Sequence, residues 1–192
     1  MHISAGPAGP YKLLVLLVAS LVLFAAFLLR TENLREFPPG VSADEAANVI
    51  DAAHIARSWN FPMYEEGPPE RSEPLYRLLL ALGTANYGSD IWTMRYTSAL
   101  ASLFGIAAAY WVATEVLFRQ PRSIRSAAAL LGMIALTVAL THITLSRALY
   151  RGTPQVPFTL LAIGFALRGL RLNSRRDFVF AGAALAGALY SY

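Results

Sequence analysis

The stretch that decides the fold is Leu13–Leu29, LLVLLVASLVLFAAFLL, in which Ser20 is the single polar side chain. As a helix it would be roughly 26 Å long at 1.5 Å per residue, close to the ~30 Å hydrocarbon core of a bilayer. No small-residue cleavage motif follows it, which predicts an uncleaved membrane-spanning helix. The whole chain has a mean hydropathy of +0.46 and only 15% charged residues, which favours a membrane protein and excludes a disordered one.

Four more apolar runs follow, and together they predict an all-α polytopic membrane protein. The spans are predicted at about 11–30, 92–117, 126–146, 152–170 and 178–192, with a long loop at 31–90. The last run is shorter than the bilayer core and ends without a charged flank. Residues 1–192 are therefore expected to be the amino-terminal part of a single transmembrane domain that continues beyond them.

The arginines predict the orientation of these spans. The connections at 118–125 and 168–177 carry seven arginines against one acid, so the positive-inside rule places both, with the amino terminus, in the cytoplasm. The loop 31–90 then lies outside, where its ten acids outnumber its four arginines. The sequence thus predicts a multi-pass protein of the plasma membrane. Its net charge of +4 is attributed to topology and phosphate binding, and no nucleic-acid partner is predicted.

Two helices are predicted inside the external loop. Ser42-Ala43-Asp44-Glu45 has the pattern of a capping box, in which Ser42 and Glu45 satisfy each other's backbone amides. A second helix is predicted from Pro74 to about Gly88, since proline is favoured in the first helical turn. Its apolar stripe suits a helix lying on the bilayer surface; the stripe is formed by Leu75, Leu78, Leu79 and Leu82.

Asp44 and Glu45 are the first candidates for chemistry. Capping explains both acids, because Glu45 would close the box and Asp44 would complement the helix dipole. Alternatively, the pair is catalytic and Asp44 is a carboxylate held just outside the membrane as a general base or metal ligand. A divalent metal therefore stays open as a cofactor, and no other cofactor is predicted.

Five more residues are candidates for substrate binding. Glu73 and Arg71 form either a solvated turn or a second carboxylate and cation facing the same external cavity. His142, Arg147 and Arg151 cluster at the external end of the third span. The two arginines share a helix face and could bind a lipid-linked phosphate through their planar guanidinium groups. The alternative is that they extend to ordinary lipid headgroups.

Several familiar catalytic patterns are missing from the sequence. It contains no Gly-rich phosphate loop, no HExxH motif and no serine nucleophile elbow. With no nucleotide site, the energy for a reaction would have to come with the substrate, as it does in an activated polyprenyl phosphate.

Several short motifs follow one another along the chain: Ser42-Ala43-Asp44-Glu45-Ala46, Arg71-Ser72-Glu73-Pro74-Leu75-Tyr76, Tyr87-Gly88, Thr141-His142-Ile143-Thr144-Leu145-Ser146-Arg147 and Leu189-Tyr190-Ser191-Tyr192. Their order resembles the bacterial branch of the membrane glycosyltransferases of the C superfamily (GT-C). These enzymes include protein O-mannosyltransferases and lipid A aminoarabinose transferases. Where many relatives read His-Pro-Pro-Leu or Lys-Pro-Pro-Leu, this chain has Glu73-Pro74-Leu75.

The resemblance implies an inverting glycosyltransferase that acts on the external face of the membrane. Its partners would be a polyprenyl-phosphate-linked sugar donor, a lipid, glycan or protein acceptor, and the surrounding membrane lipids. Asp44 would take the proton of the acceptor hydroxyl, and Arg147 and Arg151 would bind the donor phosphate. The alternative is a non-catalytic membrane scaffold or subunit whose acidic external loop binds a partner. A transporter is disfavoured because the charges lie near the ends of the spans.

Overall fold

The computed structural model describes residues 9–59, 74–150 and 152–191, and within these ranges every regular element is a helix. The all-α prediction is therefore confirmed for the part of the chain that the structure describes. In chain order the helices are α1 (Gly9–Thr31), α2 (Ala43–Ser58), α3 (Pro74–Tyr87), α4 (Ile91–Val116), α5 (Arg122–Val138), α6 (Leu140–Arg147), α7 (Gly152–Leu172) and α8 (Arg175–Leu189).

Two of the described helices, α1 and α4, are each long and apolar enough to cross a membrane. A third crossing results if α5 and α6 are counted as one bent span. The sequence predicted a single span at 126–146, but the chain breaks at Ala139, and the two helices meet at an angle of 59°. Helices α7 and α8 occupy the last two predicted spans, and that they cross the membrane stays a prediction.

The bundle has one core between α1, α4 and α5. Ala26, Ile106 and Met133 meet there, one from each helix, and all three are buried. Helix α7 lies between α4 and α8, with Phe165 in contact with an aromatic ring on either side. The centroid of Phe165 is 4.7 Å from that of Trp111 and 5.3 Å from that of Phe180.

The two loop helices form a second core above one end of the bundle. The cluster joins α2, α3, α4 and the segment after α6, so it fastens the external-loop region to the bundle. Its buried members are Ala52, Tyr76, Leu80, Met94 and Leu149. We call this end of the bundle, which also holds the carboxyl end of α1, the loop end. The capping box of α2 and the Pro74 start of α3 are both as predicted.

Helix α3 has two distinct apolar faces. Tyr76, Leu80 and Thr84 follow each other at intervals of four residues and are buried against the rest of the protein. The predicted leucine stripe lies on the opposite face and is only partly covered, with Leu82 still 42% exposed. The stripe is therefore free to rest on a bilayer surface, as the sequence predicts.

The other end of the bundle collects basic residues, and we call it the arginine end. Lys12 of α1, Arg122 and Arg125 of α5 and Arg171 of α7 line one cavity there. Both arginine-rich connections thus lie at the same end of the bundle, as the sequence predicts. That this end faces the cytoplasm stays a prediction.

The close approach of α7 to α4 depends on Gly164. A Cβ atom at this position would lie 2.5 Å from the Trp111 ring. We expect Gly164→Val to lower the free energy of unfolding by about 1–3 kcal/mol through overpacking. The melting temperature of the protein in detergent measures the loss.

Gly132 in α5 is the matched control, because a Cβ atom there would meet nothing within 4 Å. Gly132→Ala should leave stability unchanged or raise it by up to ~1 kcal/mol, since alanine restricts the unfolded chain. Equal melting temperatures for Gly164→Val and the unchanged protein would contradict tight packing of α7 on α4.

Candidate functional site

A buried ion pair between Glu45 and Arg95 organises the loop end. Arg95 Nε donates to Glu45 Oε1 at 3.0 Å, and Arg95 Nη2 donates to Oε2 at 3.1 Å. The two side chains are 7% and 2% exposed. This bidentate geometry is the strong form of an arginine–carboxylate contact. It ties the first turn of α2 to the first turns of α4.

Both partners of this pair also bind backbone groups. Arg95 donates to the carbonyl oxygens of Pro38 (2.9 Å) and Gly40 (2.7 Å), which fixes the segment that leads into α2. Glu45 accepts from the amide of Ser42 (3.1 Å), which closes the capping box, and from that of Leu149 (3.2 Å). Three segments distant in sequence, 38–45, the start of α4 and the residues after α6, therefore converge on one ion pair.

The electrostatics of Glu45 follow from these contacts. Burial by itself would raise the pKa of the Glu45 carboxyl. The hydrogen bonds from Arg95, Ser42 and Leu149, together with the positive charge of Arg95, outweigh burial and hold that pKa below its usual value. The Glu45 carboxylate thus has its lone pairs occupied by the fold, which suits a positioning role.

Asp44, the adjacent acid, has the opposite environment. It lies in the first turn of α2 and is exposed, and its carboxylate has no hydrogen bond or ion pair with any residue in the described ranges. The two neighbouring acids thus have different surroundings. The Glu45 carboxylate is buried and bonded within the fold, and the Asp44 carboxylate is accessible from solvent.

Arg147 lies close to these residues at the end of α6. Its Nη1 donates to the carbonyl of Leu29 at 2.9 Å, and its Nη2 donates to those of Glu32 (2.7 Å) and Phe37 (3.2 Å). Arg147 thereby covers carbonyl groups at the carboxyl end of α1. A guanidinium has five N–H groups, and no described residue accepts from the Nε–H or from one Nη1–H of Arg147.

His142 contacts Arg30, a residue that the sequence interpretation treated only as the flank of the first span. Arg30 is fully buried, and all five of its N–H groups have acceptors. The acceptors are Ser102 Oγ (2.9 Å), Ala26 O (3.1 Å), Thr137 O (3.3 Å), Leu136 O (3.1 Å) and His142 Nδ1 (2.8 Å). Because arginine can only donate, His142 must carry its own proton on Nε2.

Arg30 also explains how the break at Ala139 is tolerated. The last carbonyl groups of a helix have no partner within it, and inside a membrane they find no water. Arg30 donates to Leu136 and Thr137, which lie in the last turn of α5. The guanidinium thus supplies the hydrogen bonds that the interrupted helix has lost.

A small cavity adjoins His142 where α6 approaches α7. Its volume is about 80 Å³, and its lining includes Ser146, Tyr150 and Thr153. At roughly 30 Å³ per molecule, that is space for two or three waters. Among the described residues, no group of three His, Asp or Glu side chains is arranged to hold a metal ion.

The structure brings only part of the predicted site together. Asp44, Glu45, Arg147 and His142 all lie at the loop end, where Leu149 links the Glu45 carboxylate to the segment that follows Arg147. The predictions for Arg71, Glu73 and Arg151 concern positions outside the described residues.

Sequence reasoning missed the roles of Arg30 and Arg95. Both stand inside or at the edge of an apolar run, and Arg95 follows Asp90, the first residue that could cap α4. The available signal was that each arginine lies in the first or last turns of a predicted span with no acid three or four residues away. Such an arginine needs partners from elsewhere in the fold. Most of its partners could not be read, because they lie fifty or more residues away in the sequence.

The ion pair gives a testable stability difference between two adjacent acids. Glu45→Ala leaves Arg95 buried without a counter-charge, which should cost about 3–5 kcal/mol of unfolding free energy. Asp44→Ala removes only a dipole contact, worth ~0.3–1 kcal/mol. Thermal unfolding in one detergent compares them, and similar losses would contradict the ion pair.

The pair should also make stability depend on pH. Because the folded-state pKa of Glu45 lies below its usual value of 4.5, its contribution is complete above pH 4.5. The contribution is lost as the pH falls through the lowered pKa. The melting temperature should fall over this acid range, and this component of the fall should be absent in Glu45→Gln. A slope that is the same in both proteins would assign the acid sensitivity to other groups.

Residues 68–192, more than half of the chain, match the family described as dolichyl-phosphate-mannose-protein mannosyltransferase. Comparison with curated proteins and with solved structures gave no match. The matched region includes Arg95, His142 and Arg147, whereas Asp44 and Glu45 precede it. The chain therefore belongs to the dolichyl-phosphate-mannose-protein mannosyltransferase family, a family of membrane glycosyltransferases that use a polyprenyl-phosphate-linked sugar as the donor.

Proposed function

We propose that this protein transfers a sugar from a polyprenyl-phosphate donor to an acceptor hydroxyl on the external face of the membrane, with Asp44 as the catalytic base. The observation that carries the proposal is the contrast between two adjacent acids. Glu45 is locked to Arg95, and Asp44 is exposed with its carboxylate unoccupied.

The positioning of Asp44 supports this role. A general base has to be held at a defined place, and the ion pair of the next residue fixes the turn on which Asp44 stands. Arg95 also holds the Pro38 and Gly40 carbonyls, so the approach to that turn is fixed as well. The backbone that carries Asp44 is therefore held in place, while its carboxylate stays accessible.

The chemistry requires no nucleotide and no redox step. The acceptor oxygen forms a bond to the anomeric carbon of the sugar, and the bond from that carbon to the phosphate oxygen breaks. The electron pair of the broken bond leaves with the polyprenyl phosphate. Asp44 takes the proton that the acceptor hydroxyl loses, which keeps the attacking oxygen nucleophilic.

Arg147 is the described residue best suited to the donor phosphate. Its remaining Nε–H and Nη1–H can donate to two phosphate oxygens. It stands near Asp44, since the amide of Leu149, two residues further on, contacts Glu45. A phosphate bound here would leave its sugar beside the first turn of α2. Arg151 would complete the cation pair suggested by the sequence.

Two further considerations support the assignment. Membership of a glycosyltransferase family favours catalysis over the scaffold alternative. The excess of arginine at the other end of the bundle favours an external loop end by the positive-inside rule.

We expect Asp44→Asn to reduce single-turnover sugar transfer by about 10²–10⁴-fold, the usual contribution of a general base. Asparagine keeps the size of the side chain but cannot take the proton. Donor binding and melting temperature should change little. The assay uses the polyprenyl-phosphate sugar that gives the fastest transfer in a panel of donors.

Asp90→Asn is the matched control, because Asp90 is an exposed acid at the same end whose carboxylate caps α4 through the amide of Thr93 at 2.7 Å. Asparagine still caps a helix, so transfer should be unchanged. A stable Asp44→Asn protein that keeps more than about a tenth of the activity would reduce Asp44 to a helix-capping residue.

We expect Arg147→Gln to weaken donor binding by about 1.5–3 kcal/mol, the scale of hydrogen bonds to a charged group. Affinity for the acceptor should change much less. Arg35→Gln is the control, because Arg35 is an exposed arginine at the same end that stacks on Trp92. A lower melting temperature with unchanged donor affinity would limit Arg147 to holding the end of α1.

A further inference from the structure

A second cavity lies at the arginine end, away from Asp44. Its volume is about 530 Å³, within the range of small-molecule sites. It opens between α1, α4, α5 and α7. The reaction proposed above takes place at the loop end and does not involve this cavity. Its polar lining includes Tyr11, Lys12, Tyr110, Arg122 and Arg125.

The cavity has an excess of positive charge. Arg171 also lines it, but its Nη2 and Nε bind Glu115 Oε2 at 2.7 and 3.1 Å, so that pair is neutral. Lys12, Arg122 and Arg125 have no acidic partner in the described ranges. Three cations around one cavity favour a ligand with negative charge.

Helix α5 adds a second feature that favours an anion. Its first turn, which begins at Arg122, contains no acid, and Pro121 provides no side-chain cap. No carboxylate or hydroxyl of the described residues therefore accepts from the amide groups at this end. A phosphate can accept hydrogen bonds from such amides as well as from the guanidinium groups beside them.

The cavity also has an apolar wall on α1. Val15 and Leu16 form part of it, and Leu16 is 64% exposed. A ligand that fits both parts has a phosphate at one end and hydrocarbon at the other. A free phosphate would use the cations but leave Val15 and Leu16 uncovered.

We propose that this cavity binds the headgroup of an anionic phospholipid from the leaflet at the arginine end, with its acyl chains beside Val15 and Leu16 of α1. Arg122 and Arg125 contact the phosphate from α5, and Lys12 contacts it from α1. The bound lipid thereby joins α1 to α5 at the end opposite the Glu45–Arg95 pair. This site does not depend on the assignment of Asp44.

The test measures lipid binding by native mass spectrometry of the protein in detergent. Dioctanoylphosphatidylglycerol is the anionic probe, and dioctanoylphosphatidylcholine is the neutral probe with the same chains. The anionic lipid should bind at least tenfold more tightly. The double variant Arg122→Gln/Arg125→Gln should lose at least tenfold of that affinity, since two charged hydrogen-bond donors are removed.

The matched control is Arg119→Gln/Arg175→Gln, which removes two charges from the same end at exposed positions outside the cavity. It should change phosphatidylglycerol affinity less than threefold. Equal losses in the two double variants would mean diffuse surface attraction and overturn the proposal, as would equal affinity for the two lipids. Inorganic phosphate that binds as tightly as phosphatidylglycerol would overturn the lipid assignment in favour of a free-anion site.

Discussion

The loop end depends on one interaction, the buried ion pair between Glu45 and Arg95. Removing two charges from water is expensive, and the cost is met here by a bidentate contact and four further hydrogen bonds to backbone groups. In return, the pair specifies how α2 sits on α4 and how the chain between α1 and α2 approaches them. The position of Asp44 is fixed by its neighbour Glu45, whose carboxylate oxygens already accept four hydrogen bonds from the protein.

Arginine performs a similar task at two other places in this fold. Arg30 and Arg147 bind carbonyl groups left open where helices end or break, and their partners come from segments distant in sequence. Only arginine offers five N–H groups in a planar array on a long side chain. In a protein with few charged residues, such arginines allow irregular backbone to exist next to hydrocarbon.

Much of the fold could be predicted from the sequence, because the deciding signals are local. Apolar runs located α1 and α4, the capping box located α2, and Pro74 located the start of α3. The break at Ala139 could not be predicted, since neither proline nor glycine marks it. Its stability comes from Arg30, more than a hundred residues earlier. Within the candidate site, the sequence identified the two acids as candidates. It could not show that Glu45 is buried and Asp44 exposed, because that difference depends on the tertiary contact between Glu45 and Arg95.

The two-faced packing of α3 has a consequence for distances in the membrane. If its leucine stripe rests in the headgroup layer, that layer sets the height of the whole loop end, Asp44 included. The phosphate of a lipid-linked sugar lies in the same layer. The Asp44 carboxylate and the donor phosphate would then both be positioned relative to the same surface of the bilayer. The distance between them would not depend on the thickness of the bilayer. A reaction arranged in this way could proceed unchanged in thin and thick membranes alike.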